Sequence, residues 1–97
     1  MNRFEYPVLL TAAAEGGFVV TCRDLPQLVT QGEDARDALA EAADAMDEVF
    51  AAYMAGDIAF PEPSKRRRRE RLVAPPAKTM AKAARYVAMR GQGWAGQ

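Results

Sequence analysis

The side chains of this chain that recur at spacings able to do chemistry are carboxylates and arginines, and the two kinds are segregated. Asp37, Glu41, Asp44 and Glu48 follow one another at steps of four, three and four, which places them on one face of a helix. Lys65, Arg66, Arg67, Arg68, Arg69 and Arg71 form a cationic run interrupted only by Glu70. Residues 1–64 hold three basic residues, Arg3, Arg23 and Arg36, against twelve acidic ones, a net charge of −9. Residues 65–97 hold ten basic residues against Glu70 alone, a net charge of +9, so the chain as a whole is neutral. A division of this kind governs attraction to partners and leaves the fold largely undecided. The acidic stripe reads either as the solvated face of an amphipathic helix or as a surface for a cationic partner. It lacks the lysines at i,i+4 that usually accompany solvated faces, and unpaired like charges cost stability. The basic run reads as a solvated loop, as the counterpart of a neighbouring subunit's acidic helix, or as a contact for nucleic-acid phosphates. No aromatic residue is interleaved with it to stack on bases.

Other chemistry is sparse. The chain has no histidine, which removes the commonest general acid/base, Ser-His and Cys-His arrangements, and most transition-metal sites. Catalysis would have to rest on carboxylates, lysine or tyrosine, and no catalytic residue, metal site or cofactor is expected. Tyr6, Tyr53 and Tyr86 read as half-buried packing residues, and Asp24, before Leu25-Pro26, as a turn residue. The single cysteine, Cys22, excludes an internal disulfide and fits a reducing, cytoplasmic compartment. Its apolar neighbours favour a buried structural thiol over a reactive one. A hydrophobic content of 49% with 27% charged residues is that of an ordinary globular chain, and no apolar run reaches the ~20 residues needed to span a bilayer. The early Glu5 argues against a secretory leader. A chain this short buries only roughly 60–65% of its unfolded surface, so a homo-oligomer, dimer or tetramer, is expected.

The elements that must position these residues can be read from periodicity. Phe4, Tyr6, Val8 and Leu10 alternate as in a half-buried strand, Gly16-Gly17 signals a hairpin, and residues 18–22 make the return strand. Leu28-Val29-Thr30-Gln31 predicts a third short strand. Asp34 is a candidate helix cap for residues 35–54, with Gly56 as the stop. Pro61-Glu62-Pro63-Ser64 is extended and closes a first domain at residue 64. Residues 65–97 then comprise a basic linker, a further strand at Leu72-Val73, and a helix opened by Pro76 with an apolar stripe of Ala77, Met80, Ala81, Ala84, Val87 and Ala88. Trp94 reads as packing for that helix or as part of an interface. The fold class is α+β: a three-stranded antiparallel sheet with a candidate fourth strand, one long amphipathic helix, and a C-terminal helix.

The order of Gly17-Phe18-Val19-Val20, Asp24-Leu25-Pro26, Val29-Thr30-Gln31-Gly32 before an acidic Ala-rich helix, and Pro61-Glu62-Pro63-Ser64 resembles the N-terminal domain of the HicB-type antitoxin family over roughly residues 3–64. The resemblance implies a partial RNase H-like fold without RNase H chemistry. It further implies an antitoxin that binds and blocks a small basic mRNA-cleaving toxin of the HicA type, with autoregulation of the operon through DNA. It thereby raises the partner reading of Asp37, Glu41, Asp44 and Glu48. The alternatives are a DNA- or RNA-binding regulator acting through residues 65–90, and an interaction module of the same fold with another partner. The C-terminal part, with Leu72-Val73-Ala74-Pro75-Pro76, Lys82, Tyr86, Met89-Arg90 and Gly93-Trp94, resembles the opening of the family's helix-turn-helix element. The recognition helix of such members is expected beyond Gln97, so this chain does not complete a base-reading element. Where the family usually has glycine after Asp24-Leu25-Pro26, this chain has Gln27, and the turn has to form without a residue free to take positive φ.

Overall fold

Alternation between Phe4 and Leu10 is realised in strand β1 (Tyr6–Ala12), which buries Tyr6 and Val8 on one face and exposes Leu9 on the other. The computed structural model describes residues 4–92. Strand β2 (Phe18–Cys22) returns antiparallel, with Val8 opposite Cys22 and Ala12 opposite Phe18. The hairpin closes through residues 13–17, where the Ala13 amide donates to the Gly17 carbonyl at 3.0 Å. Gly16 and Gly17 take φ of 103° and 77°, a region that a Cβ disfavours. Strand β3 (Val29–Gly32) pairs antiparallel with β2, and β4 (Arg71–Val73) pairs antiparallel with β1. The sheet order is β3-β2-β1-β4, so the strand beyond the proline-rich segment completes the sheet at the edge opposite β3.

Helix α1 (Ala35–Ala55) covers one face of this sheet. Ala38, Ala42, Met46, Val49, Phe50 and Tyr53 are buried at steps that keep one stripe against Tyr6, Val8, Val20 and Cys22. Asp34 caps it as expected, accepting the Asp37 amide proton at 2.8 Å. Substituting Asp34 with alanine orphans that donor and is expected to cost about 1 kcal/mol, measurable as a lowered urea midpoint at unchanged slope. The helix stops at Gly56 as expected, the Gly56 amide donating to the Ala52 carbonyl at 3.0 Å, but without a left-handed glycine. Gly56 keeps φ of −86°, and it is Asp57 that turns into the left-handed region at φ 55°. Aspartate tolerates that region because its short polar side chain bonds locally, and here Asp57 is further held by Arg90 at 2.6 Å.

Helix α2 (Ala77–Arg90) starts after Pro76 and stops at Gly91, which takes φ of 67°. The buried stripe of α2 is also shifted from the expected one. Thr79, Ala83 and Val87 face inward, with Met80 and Tyr86 half-buried, whereas Ala77, Ala81, Ala84 and Ala88 are exposed. The reason is polar as well as apolar: the Thr79 hydroxyl donates to the Asp47 carboxylate of α1, which rotates α2 so that the 79–83–87 row faces that helix. Between the helices lies an aromatic cluster centred on Phe60, whose ring sits 4.7 Å from Phe50, 5.4 Å from Tyr86 and 5.8 Å from Phe4. The segment carrying Phe60 is clamped by hydroxyls, Tyr6 donating to the Pro61 carbonyl and Tyr86 to the Ile58 carbonyl, both at 2.7 Å. Gly93 and Trp94 lie outside the described residues.

Candidate functional site

Strand β3 lies at an open edge of the sheet, and α1 crosses beside it, so the outward side of the helix and the strand form the walls of a groove of about 320 Å³. One wall is Gln27, Leu28, Val29 and Thr30; the other carries Glu41, Asp44 and Glu48 with Ala45 and Val49. Val29 is 63% exposed, a β-branched side chain open to solvent beside three carboxylates. None of Glu41, Asp44 and Glu48 makes an ion pair among the described residues. The fourth acid of the stripe stands apart from this groove. Asp37 accepts the Glu33 amide proton at 2.8 Å while its own amide is capped by Asp34, two bonds that tie the first turn of α1 to the residue following β3. It borders a second hollow of about 580 Å³ with Glu15, Gly17, Phe18 and Glu33. The structure thus brings three of the four acids into one groove and gives Asp37 structural bonds in the neighbouring one.

Gln27 belongs to the turn that leads into the groove. The Leu28 amide donates to the Leu25 carbonyl at 2.9 Å, and Gln27 is not among the residues with positive φ. The turn therefore closes with Pro26 fixing its first central residue and needs no glycine at Gln27. The side chain of Gln27 accepts from the Tyr53 hydroxyl at 3.4 Å, joining the turn to α1.

The basic residues are positioned by two neighbours at the end of β2 whose role was hidden in the sequence. Asp24 accepts the Ser64 amide at 2.7 Å and the Ser64 hydroxyl at 2.6 Å. Arg23 donates through Nε and Nη2 to the two oxygens of Glu70 at 2.8 and 2.9 Å, and through Nη2 to the Lys65 carbonyl at 2.7 Å. Glu70 itself is buried, 7% exposed, and also accepts the Arg67 amide at 2.8 Å. Lys65, Arg67, Arg68, Arg69 and Arg71 are exposed and make no ion pair among the described residues, while Arg66 bends back to donate to the Glu70 carbonyl at 3.0 Å. The contacts of Arg23 and Asp24 connect residues forty or more positions apart, so only a motif shared across the chain could have revealed them.

These bonds leave a titration signature. Hydrogen bonds from the Arg23 guanidinium hold the Glu70 carboxyl at about 2, below its usual 4.5, with the Arg67 amide adding to the effect against the opposing influence of burial. A carboxyl depressed in the folded state stabilises fully above its unfolded value and loses that contribution as pH falls. The urea midpoint is therefore expected to drop between pH 4.5 and 2, and Glu70→Gln to flatten the profile in that window.

The remaining reactive groups are quiet. Cys22 is buried and burial raises its thiol pKa, which keeps it protonated and structural. Burial likewise raises the pKa of Tyr6, whose hydroxyl is committed to Pro61. Among the described residues no group of His, Cys, Asp and Glu is placed to hold a metal ion, and no helix is long and apolar enough to cross a membrane.

A four-stranded antiparallel sheet backed by a long acidic helix, with an open strand edge beside carboxylates that make no ion pair among the described residues, defines a small α+β domain. The particular family follows from sequence comparison: a family model described as the HicB-like antitoxin of bacterial toxin-antitoxin systems matches residues 5–84, and the chain belongs to that family. It is a family of antitoxins, not of enzymes. The chain is 42% identical over 59 residues to Antitoxin HicB of Escherichia coli strain K12, covering 61% of this chain and 43% of that protein. Antitoxin HicB 1 of Photorhabdus laumondii is 35% identical over 63 residues, 65% of this chain and 41% of that protein. This chain spans less than half the length of these curated relatives.

Proposed function

We propose that this chain is an antitoxin that binds and neutralises a small basic mRNA-cleaving toxin of the HicA type, using the groove between α1 and β3. The observation that carries the reading is the groove itself: Glu41, Asp44 and Glu48 line it together, without a cation from their own chain, beside the exposed Val29. A negative rim of this kind steers a cationic RNA-binding surface toward it and fixes its orientation, while the apolar strand edge supplies area to bury. Family membership and the names of the relatives support the same reading. The protein acts in the cytoplasm as a homo-oligomer, and its basic part contributes to regulation of its own operon. The test is co-expression with the product of the neighbouring open reading frame, a small basic toxin on this reading. Co-purification and rescue of growth are expected; toxin that stays active and unbound in the presence of excess chain overturns the reading.

A second reading, nucleic-acid binding by residues 65–71, is favoured by one specific observation. Six cations, Lys65, Arg66, Arg67, Arg68, Arg69 and Arg71, are exposed there without an ion-pair partner among the described residues, and the one acid among them is turned inward.

A further inference from the structure

We infer that residues 65–71 form a preshaped turn that binds the phosphate backbone of duplex nucleic acid, and that Glu70 is the internal strut that sets its shape. The inference rests on the nucleic-acid reading of these residues and adds to it a positioning residue of opposite charge. Six cations within seven residues repel one another, and such a run ordinarily spreads into an extended, mobile segment. Here it does not. The Glu70 carboxylate reaches across to Arg23 at 2.8 and 2.9 Å and takes the Arg67 amide at 2.8 Å, while the Glu70 amide donates to the Arg67 carbonyl at 3.0 Å. Arg66 closes the ring by donating to the Glu70 carbonyl, and Arg23 pins its start through the Lys65 carbonyl.

The charge of Glu70 is thereby absorbed by Arg23, a cation just after β2, and does not neutralise the arginines of the turn. Arg67, Arg68 and Arg69 are left exposed on a turn whose backbone is already ordered. Ordering a cationic loop in advance lowers the entropy lost on binding, and guanidinium forks match phosphate oxygens bidentately. Without an aromatic residue in the run, the partner is a duplex backbone and not the stacked bases of a single strand.

The experiment titrates the full chain into a short labelled duplex DNA of arbitrary sequence, followed by fluorescence anisotropy at several salt concentrations. Deleting an acid from a basic loop would by simple attraction tighten binding. The strut predicts the reverse: Glu70→Ala weakens binding about tenfold at low salt and makes the log–log salt slope shallower by about 1, the loss of one phosphate contact. The charge-neutral pair Arg23→Met with Glu70→Leu guards against misfolding, since it removes the arginine together with the acid and leaves no unpaired charge at the buried Glu70 position. It is expected to weaken binding to the same extent with thermal unfolding retained. Wild-type affinity, or tighter, in both variants overturns the strut while leaving the nucleic-acid reading in place. If the wild-type chain does not bind the duplex at low salt, that reading fails and the strut with it; salt-sensitive self-association in that case would make a second copy's acidic groove the partner and overturn the inference equally.

Discussion

Replacing Gly32 with alanine is expected to cost more than about 3 kcal/mol, a large share of a total domain stability on the order of 5–15 kcal/mol, and to lower the melting temperature steeply. Gly32 ends β3 immediately before α1, and its φ lies outside the positive range that favours glycine. The requirement is room. A Cβ built there would lie 2.8 Å from the Asp37 carbonyl carbon and closer still to the Ala38 amide and Cα, all of them helix backbone that cannot swing aside. Phe18 pairs opposite Gly32 in the sheet, and a Cβ on Gly17 would meet the Gly32 carbonyl oxygen at 2.5 Å, so the site is tight from the other side as well. Gly16→Ala is the control, because Gly16 needs positive φ but has nothing within 4 Å of its Cβ position. It should fold at a cost of about 1–3 kcal/mol, that of a non-glycine residue held at such a φ. Circular dichroism and thermal unfolding separate the two; a Gly32→Ala chain that melts like wild type would show that α1 can lift from β3 without consequence.

The contrast between these glycines marks where sequence reading stops. The Gly16-Gly17 hairpin, the three strands, the capping by Asp34 and the length of α1 all depend on local rules, periodicity and backbone preference within a few residues, and each is present as expected. At Gly32 nothing local signals a close approach, because Ala38 is brought over it only by the packing of α1. The same limit explains α2. The row that faces inward contains a polar residue, Thr79, whose hydroxyl donates to Asp47, a contact between helices that apolar periodicity does not signal. Arg23 and Asp24 show it again. Adjacent in sequence, they read as a strand end and a turn, and they hold Glu70 and Ser64 across the molecule. The candidate site was legible as charge and helical spacing; its division into a three-acid groove and a bonded Asp37 required the register of β3 against α1.

That division sharpens the experiment on toxin binding. Changing Glu41, Asp44 and Glu48 together to lysine is expected to weaken binding of a basic toxin by about a hundredfold or more, since juxtaposed like charges cost several kcal/mol and each 1.4 kcal/mol is tenfold. The association rate should fall most, and the wild-type loss of affinity with added salt should flatten or reverse, because attraction has been exchanged for repulsion that salt screens. Folding should be little affected. The three side chains are exposed, and like-charge spacing along the helix is retained with its sign inverted. Asp37 is left in place because its carboxylate accepts the Glu33 amide, so changing it would confound loss of the helix start with loss of binding. Calorimetric titration against the toxin across a salt series, with thermal unfolding of the triple variant alongside, reads both effects. Unchanged affinity and an unchanged salt slope would reduce the stripe to a solvated helix face, and the toxin would then have to dock elsewhere, with the exposed Val29 and the open edge of β3 left to act without their acidic rim.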